Sequence, residues 1–265
     1  MFTRTVPAAA FPYLRERGGY GILVENEVKH MYGEIFCRVY NEFGWNYYPE
    51  IFGEQLLSWL DRRGLSPRRT LDLACGTGVL CRILQARGAE SWGMDLSEGM
   101  ITVAREAGGG VRYDVADMTA YRPNATFDLV TCTGDSFNHI QDPEDLRKIF
   151  RNIHGYLAPG GWLVFDLLRE SEVSDSEPFE SPWGENGRIW FQMTRPGPGK
   201  VHLTVRHYED GRLNFEEVIR ETLHDPARVL EMLREAGFTD IRCADRLLED
   251  SAPGPTWFIP ARKEA

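Results

Sequence analysis

The sequence predicts an α/β fold on a doubly wound, mostly parallel sheet, and three observations carry that prediction. From about Ser66 to Asp166 short apolar runs alternate with amphipathic stretches, the pattern of β-α-β units. A glycine loop, Cys75-Gly76-Thr77-Gly78, follows the first run and leads directly into a helical pattern. Several runs end in a carboxylate, at the edge where ligands of open α/β sheets sit.

The chain opens with an aromatic segment, residues 1–55, carrying Tyr32, Phe36, Tyr40, Phe43, Trp45, Tyr47, Tyr48 and Phe52. It reads as a helical cover over a ligand site, or as a plain packing stripe. Strands are predicted at Thr70–Ala74, Ser91–Asp95, Val111–Val115, Phe127–Thr131 and Gly161–Asp166. Asp142-Pro143 starts a helix as N-cap and first-turn proline. Leu146, Ile149, Phe150, Ile153 and Leu157 repeat along it until Pro159-Gly160-Gly161 stops it. Asp225-Pro226 repeats the device, with Val229, Leu230 and Leu233 on one face and Gly237 as the stop. Between the two lies a segment without the alternation. Its β-like runs Arg188–Thr194 and Val201–Tyr208, broken by Pro196-Gly197-Pro198-Gly199, predict a small antiparallel insertion. The expected divisions are an N-terminal cover (1–55), a core (56–168), a β-rich insertion forming part of an acceptor pocket (169–222) and a C-terminal α/β completion (223–265).

Composition narrows the functional classes. The chain has 265 residues, 40 acidic against 30 basic and a formal charge of −10, a balance that disfavours a general electrostatic hold on nucleic acid, which needs a basic face. No apolar run reaches the ~18–20 residues that span a bilayer, and no signal core is apparent near the start. The sequence therefore reads as cytoplasmic. Five cysteines without a C-x-x-C pair predict neither a disulfide framework nor a zinc site. His30, His154, His202, His207 and His224 have no ligand-like spacing, and no metal is expected.

Most of the functional information lies in Leu71-Asp72-Leu73-Ala74-Cys75-Gly76-Thr77-Gly78, a strand, a glycine loop and a helix start. Glycines let the backbone approach a ligand closely. Cys81 stands where a dinucleotide fingerprint has its third small residue, and the Asp72 carboxylate would repel a pyrophosphate but attract a cationic amino-acid end. In this the sequence resembles the class I S-adenosylmethionine-dependent methyltransferases, which have a Rossmann-like sheet. The resemblance continues through Gly93-Met94-Asp95-Leu96-Ser97, Asp114–Met118, Phe127-Asp128-Leu129-Val130 and Leu157-Ala158-Pro159-Gly160-Gly161. It extends more loosely over Ala236-Gly237-Phe238 to Trp257–Arg262.

The resemblance implies S-adenosylmethionine as cofactor, S-adenosylhomocysteine as product and a set of contacts. Asp95 would take both ribose hydroxyls, a demand one carboxylate meets in bidentate fashion. Asp117 would take the adenine amino group, with Met118 over the ring. Asp72, Ala74, Gly76, Thr77, Gly78, Leu96 and Met100 complete the cofactor set, and Thr133 would approach the sulfonium. Loop or capping carboxylates are the competing reading for Asp72, Asp95 and especially Asp117. Tyr40, followed by Asn41, resembles a family tyrosine that closes over the methionine part of the cofactor, and it is a catalytic candidate on that ground.

After the fourth strand, Thr133-Gly134-Asp135-Ser136-Phe137-Asn138-His139 resembles a small-molecule subfamily that includes amino-sugar N,N-dimethyltransferases. His139 is the candidate base, since imidazole titrates in the useful range, or else it lines the pocket wall. Asp135 and Asn138 would orient an amine or hydroxyl. Trp183, Trp190, Phe191 and Arg195 face a substrate, form the insertion's core or meet a second subunit. The function expected is methyl transfer to nitrogen, slightly favoured, or oxygen of a small metabolite, in natural-product or sugar biosynthesis. The alternatives are an O-methyltransferase with His139 as base and a non-methylating protein that binds the cofactor. A small-molecule acceptor is the expected partner, nucleic acid and membrane are not, and a homodimer stays open.

Overall fold

The structure is a computed structural model, and it describes residues 32–183 and 185–265. His30 and most of the expected N-terminal cover lie outside the described residues. A seven-stranded sheet forms the centre: β1 (Arg69–Leu73), β2 (Glu90–Asp95), β3 (Arg112–Val115), β4 (Phe127–Cys132), β5 (Leu157–Leu168), β10 (Phe238–Thr239) and β11 (Thr256–Lys263). Its order is β10-β11-β5-β4-β1-β2-β3, with β1 to β5 parallel and β11 antiparallel to β5. The chain winds outward in one direction from β1 to β3 and in the other from β4 onward, so the order reverses between β1 and β4. Their carboxyl ends therefore open a crevice, the usual ligand position in such sheets.

Helices α3 (Val79–Ala86), α4 (Glu98–Glu106), α5 (Pro143–Tyr156) and α6 (Pro226–Glu235) cover the sheet. The two Asp-Pro starts behave as the sequence predicts. Asp142 accepts from the Glu144 N–H and Asp225 from the Ala227 N–H, both at 2.9 Å, and each proline occupies the first turn. Leu146, Ile149, Phe150 and Ile153 then meet Val229 and Leu233 in a fully buried cluster on one face of the sheet. Each such side chain contributes about 1.5–3 kcal/mol by leaving water.

The start of β5 differs from expectation. The helical repeat expected through Leu157 ends at Tyr156, and Pro159-Gly160-Gly161, expected as the helix stop, lies inside the strand. Leu157 is already extended and pairs with Phe127, and the register then shifts so that Leu129 pairs with Trp162. The extra residues make a bulge, and a Cβ on Gly161 would stand only 2.9 Å from the Ala158 carbonyl oxygen and 3.1 Å from that of Asp128.

Two helices precede the sheet. α1 (Glu34–Val39) and α2 (Tyr47–Arg62) carry the aromatic residues, and α2 runs through position 55, so the boundary expected there falls inside a helix. Phe52, Leu56, Trp59 and Leu60 of α2 pack on Leu80, Leu84, Trp162 and Val164. Phe36 and Cys37 of α1 pack between Met100 of α4 and a second sheet.

That second sheet is the antiparallel insertion, in the order β6 (Phe179–Trp183), β7 (Gly187–Thr194), β8 (Lys200–Glu209) and β9 (Arg212–Thr222). Ile189, Val205 and Ile219 form its buried face against α1. Among the described residues no helix is long and apolar enough to cross a membrane.

Candidate active site

The site is built in two halves at the carboxyl ends of the sheet strands. In the first half, the chain leaving β1 takes left-handed backbone angles at Ala74 (φ 53°), Gly76 (φ 53°) and Gly78 (φ 76°). A side chain disfavours this region, and for Gly78 a Cβ would also overlap the Tyr113 ring. At Gly76 a Cβ would meet nothing within 4 Å. The two glycines thus do different work: Gly78 packs, while Gly76 leaves room beside the loop.

Asp95, at the end of β2, holds this loop. Its carboxylate accepts from the Gly76 N–H at 2.9 Å and from the Ser97 N–H at 2.8 Å, one bond on each oxygen. The Leu96 amide also acts on the group, and the carboxylate keeps spare acceptor capacity beyond these amides. The group is 8% exposed, and burial pushes its pKa up against the lowering effect of those amides. Next to it Leu96 is half exposed, and Val115 at the end of β3 nearly so. A carboxylate with spare acceptor capacity, bare backbone at Gly76 and exposed apolar side chains are what a ribose and a flat base require. The residues present fit S-adenosylmethionine.

Other members of the expected cofactor set sit differently. Asp72 lies beneath the loop, 3% exposed, accepting from the Thr131 hydroxyl at 2.6 Å, with the Cys81 thiol at 3.9 Å. Burial raises its pKa to about 7. Thr77 is buried and donates to Asn41 Oδ1 at 2.8 Å, which ties the segment after α1 to the glycine loop. Met100 is a correction: it is 1% exposed in the cluster with Phe36 and Cys37, and it seats α1. Asp117 is exposed and accepts from the Thr119 N–H at 2.8 Å, an Asx turn, while Met118 is half-buried against the main core.

The second half grows from the end of β4. Thr133 is half-buried, and its carbonyl accepts from the Ser136 hydroxyl at 2.7 Å. Gly134 (φ 69°) and Asp135 (φ 52°) are left-handed, and the tight turn Ser136–His139 follows. The Asp135 N–H points at both oxygens of Asp166, each 3.4 Å away, and Asp166 also receives the Tyr48 hydroxyl at 2.5 Å. Asp166 is fully buried, and burial followed by the Asp135 charge raises its pKa to about 7.

Asn138 is another correction. It is completely buried, donates to the Thr222 carbonyl at 2.7 Å and accepts from the Leu168 N–H at 3.1 Å. It is a staple between β5 and the end of β9, with no surface left to orient a substrate.

That staple brings a residue the sequence reading missed. Glu221 of β9 is 8% exposed, and its Oε1 lies 4.0 Å from His139 Nε2. The polar ends of Asp135, His139 and Glu221 all lie within 4.8 Å of one another. Burial raises both carboxyl groups: Asp135 is raised further by Glu221, while Glu221 is raised to about 7 by burial and the Asp166 charge against the lowering effect of a hydrogen bond from Asp135, whereas burial lowers the imidazole below its ordinary value. His139 Nδ1 is buried without a hydrogen-bond partner. No strand is predicted over 212–222, and in β9 Glu221 shares a face with Ile219 and Glu217, so its spacing alone did not single it out.

Tyr40 and Tyr32 feel charges of both halves. Burial raises the Tyr40 hydroxyl first, then the charges of Asp135 and Asp95, and Tyr32 feels those two and Glu221. The two rings pack edge-on at 6.3 Å, with Phe36 against both. The insertion's candidates divide between the α1 cluster and the surface. Trp183 packs on Phe43 at 4.6 Å, Trp190 lies under Arg206, Phe191 joins the α1 cluster, and Arg195 pairs with Glu170 at 2.6 Å.

Comparison with known proteins points the same way. Residues 70–161 match the family described as methyltransferase domain. A Geobacillus sp. (strain WCH70) protein provisionally assigned as a methyltransferase is 29% identical over 77% of this chain and 86% of its own length. The ubiquinone biosynthesis O-methyltransferase of Paraburkholderia phymatum is 34% identical over 44% of this chain and 52% of that one. Among solved structures, CalS10, an amino pentose methyltransferase from Micromonospora echinaspora with S-adenosylmethionine bound, superposes with a TM-score of 0.69. It is 21% identical, covering 89% of this chain and all of that one. That likeness is one of fold.

Proposed function

We propose that this chain, an S-adenosylmethionine-dependent methyltransferase, carries the methyl group to the nitrogen of a small-molecule amine and releases S-adenosylhomocysteine. The observation that carries the choice of nitrogen is the recess of Asp135, His139 and Glu221. It holds two carboxyl groups and an imidazole, with no basic side chain among the charges that act on the carboxyl pair. A recess of this kind favours a cationic ligand by Coulomb attraction, and burial strengthens the preference.

When bound, S-adenosylmethionine supplies an electrophilic methyl group on a cationic sulfonium. The protein's part is to align a nucleophile and exclude water. Asp95 and the bare backbone at Gly76 hold the nucleoside, and Tyr32 and Tyr40 close over the site from the α1 side. Asp135 and His139 orient the acceptor at the end of β4. The amino pentose acceptor of CalS10 agrees with an amine, and the O-methyltransferase relative supports oxygen as the second reading. Five free cysteines, four of them buried, suit a reducing cytoplasm.

The test is incubation with methyl-labelled S-adenosylmethionine and matched pairs of amino and hydroxy compounds on sugar and aromatic frames. Mass spectrometry then locates the label. Transfer to the amine at least ~10-fold faster than to its hydroxy partner is expected, a difference of about 1.4 kcal/mol. Transfer to the hydroxy compounds instead would overturn the amine reading and leave the methyltransferase standing.

A further inference from the structure

Resting on the amine reading above, we infer that the acceptor enters as an ammonium ion, that Glu221 takes its proton, and that His139 orients the nitrogen without becoming charged.

The placement of Glu221 comes first. β9 ends at Thr222, and its carbonyl is clasped by Asn138 Nδ2 at 2.7 Å. A second bond, between His224 Nε2 and the Phe137 carbonyl at 3.1 Å, ties the following residues to the same turn. Leu223 N–H donates to the Gly199 carbonyl at 2.8 Å, which completes the fixing of the strand end. Glu221, one residue before the clasped carbonyl, is therefore held opposite Asp135 and His139. Asn138 is a positioning residue for it.

The charges facing Glu221 are Asp135 and His139 from the β4 turn, Asp166 from β5 and Tyr32 from the segment before α1. Lys200 on the neighbouring strand gives its ammonium to the Thr222 hydroxyl at 2.8 Å. Two carboxyl groups this close, without a counter-charge, cannot both stay ionised, so the pair keeps one proton and one negative charge. That remaining charge binds an ammonium. Burial acts oppositely on the two kinds of base, making the carboxyl pair more basic and the imidazole less so. The two shifts run in opposite directions, toward a stronger carboxylate base and a weaker imidazole.

The step balances. An N–H bond of the ammonium breaks, its proton goes to the carboxylate of Glu221 and forms a carboxylic acid, and the nitrogen keeps the electron pair. That pair forms the bond to the methyl carbon while the carbon–sulfur bond breaks with its electrons going to sulfur. The net charge of +1 is the same before and after, carried at the end by the methylated ammonium. Neutral His139 contributes an acceptor nitrogen for a second N–H.

The decisive comparison is E221Q against H139Q, with affinity for S-adenosylhomocysteine as the control for folding. With any amine turned over in the matched-pair assay, E221Q should lower kcat about 100-fold, within the usual range for removing a general base, and H139Q about 10-fold or less. An independent readout needs no acceptor: carbon-13 carboxyl and nitrogen-15 imidazole spectra of the protein saturated with S-adenosylhomocysteine. Glu221 should titrate near neutrality and stay raised in D135N, because burial and the Asp166 charge lift it without Asp135, while His139 stays neutral through that region. A larger kcat loss in H139Q, or His139 protonating before Glu221 as pH falls, would overturn the assignment even with the amine reading intact. So would tight uptake of one Zn2+ or Mn2+ per chain by metal-stripped protein, lost in E221Q. If only hydroxy compounds are methylated, the amine reading fails and the spectra still decide which group is the stronger base.

Discussion

The two halves of the site are built by opposite means. In the cofactor half, the loop after β1 and the end of β2 lie about 20 residues apart in sequence, within one β-α-β unit, and the contacts are backbone amides on one carboxylate. The acceptor half joins Asp135 and His139 to Glu221, more than 80 positions further along, through a staple that crosses between two sheets. Local geometry suffices for the first. The second exists only after the insertion has docked, so disturbing the docking should harm catalysis while sparing cofactor binding.

The sharpest way to break this comparison is at the glycines. Gly78→Ala combines left-handed strain with overlap on Tyr113 and should cost about 3 kcal/mol or more of stability, together with S-adenosylhomocysteine affinity. Gly76→Ala, with strain but open space, should cost about 1–2 kcal/mol of stability and mainly weaken ligand binding. Thermal unfolding with and without S-adenosylhomocysteine separates the two, and equal behaviour would remove the distinction between packing and access.

Asn138→Ala is the corresponding cut in the acceptor half. It leaves the Thr222 carbonyl and the Leu168 N–H without their partner, for a loss of about 2–3 kcal/mol by denaturant unfolding. Turnover should fall while affinity for S-adenosylhomocysteine by calorimetry stays within about threefold, less than 1 kcal/mol. A parallel loss of cofactor affinity would mean the halves are not separable.

Asp72 sharpens the comparison by pH. Its folded-state pKa of about 7 lies above the unfolded value of about 3.9, so its contribution to stability is fully present below pH ~4 and is lost as pH rises through about 7. The stability of Asp72→Asn relative to wild type should therefore improve between pH ~4 and ~7 and level off above. A flat difference across that window would mean that Asp72 titrates normally. The smallest effect belongs to Met100→Leu, a buried swap expected to cost less than about 1.5 kcal/mol and to leave S-adenosylhomocysteine affinity unchanged. A marked loss of affinity would return Met100 to the cofactor set.

Legibility follows the same division. Strand–loop–helix around Asp72–Gly78, the Asp95 carboxylate and both Asp-Pro helix starts could be read from spacing, because each depends on neighbours within a few residues or one β-α-β unit. Pro159-Gly160-Gly161 reads as a helix stop but lies in a bulge inside β5, since a glycine that permits close backbone approach has the same signature as one that ends a helix. Asn138 looked like a pocket residue because its partners, Thr222 and Leu168, are distant in sequence. Glu221 lies on β9, for which the sequence predicts no strand, and nothing in the sequence says which surface that face meets.

From the sequence alone came the α/β class, the glycine loop, the carboxylate at the end of β2 and the family resemblance. These rest on periodicity, backbone conformational preference and chemistry that operate over short stretches of chain. Tertiary structure alone decided that Met100 seats a helix, that Asn138 is a staple and that a carboxylate from the antiparallel sheet faces His139. Those outcomes depend on which surfaces exclude water together, and burial then shifts Glu221 up and His139 down in a way that no residue type carries by itself.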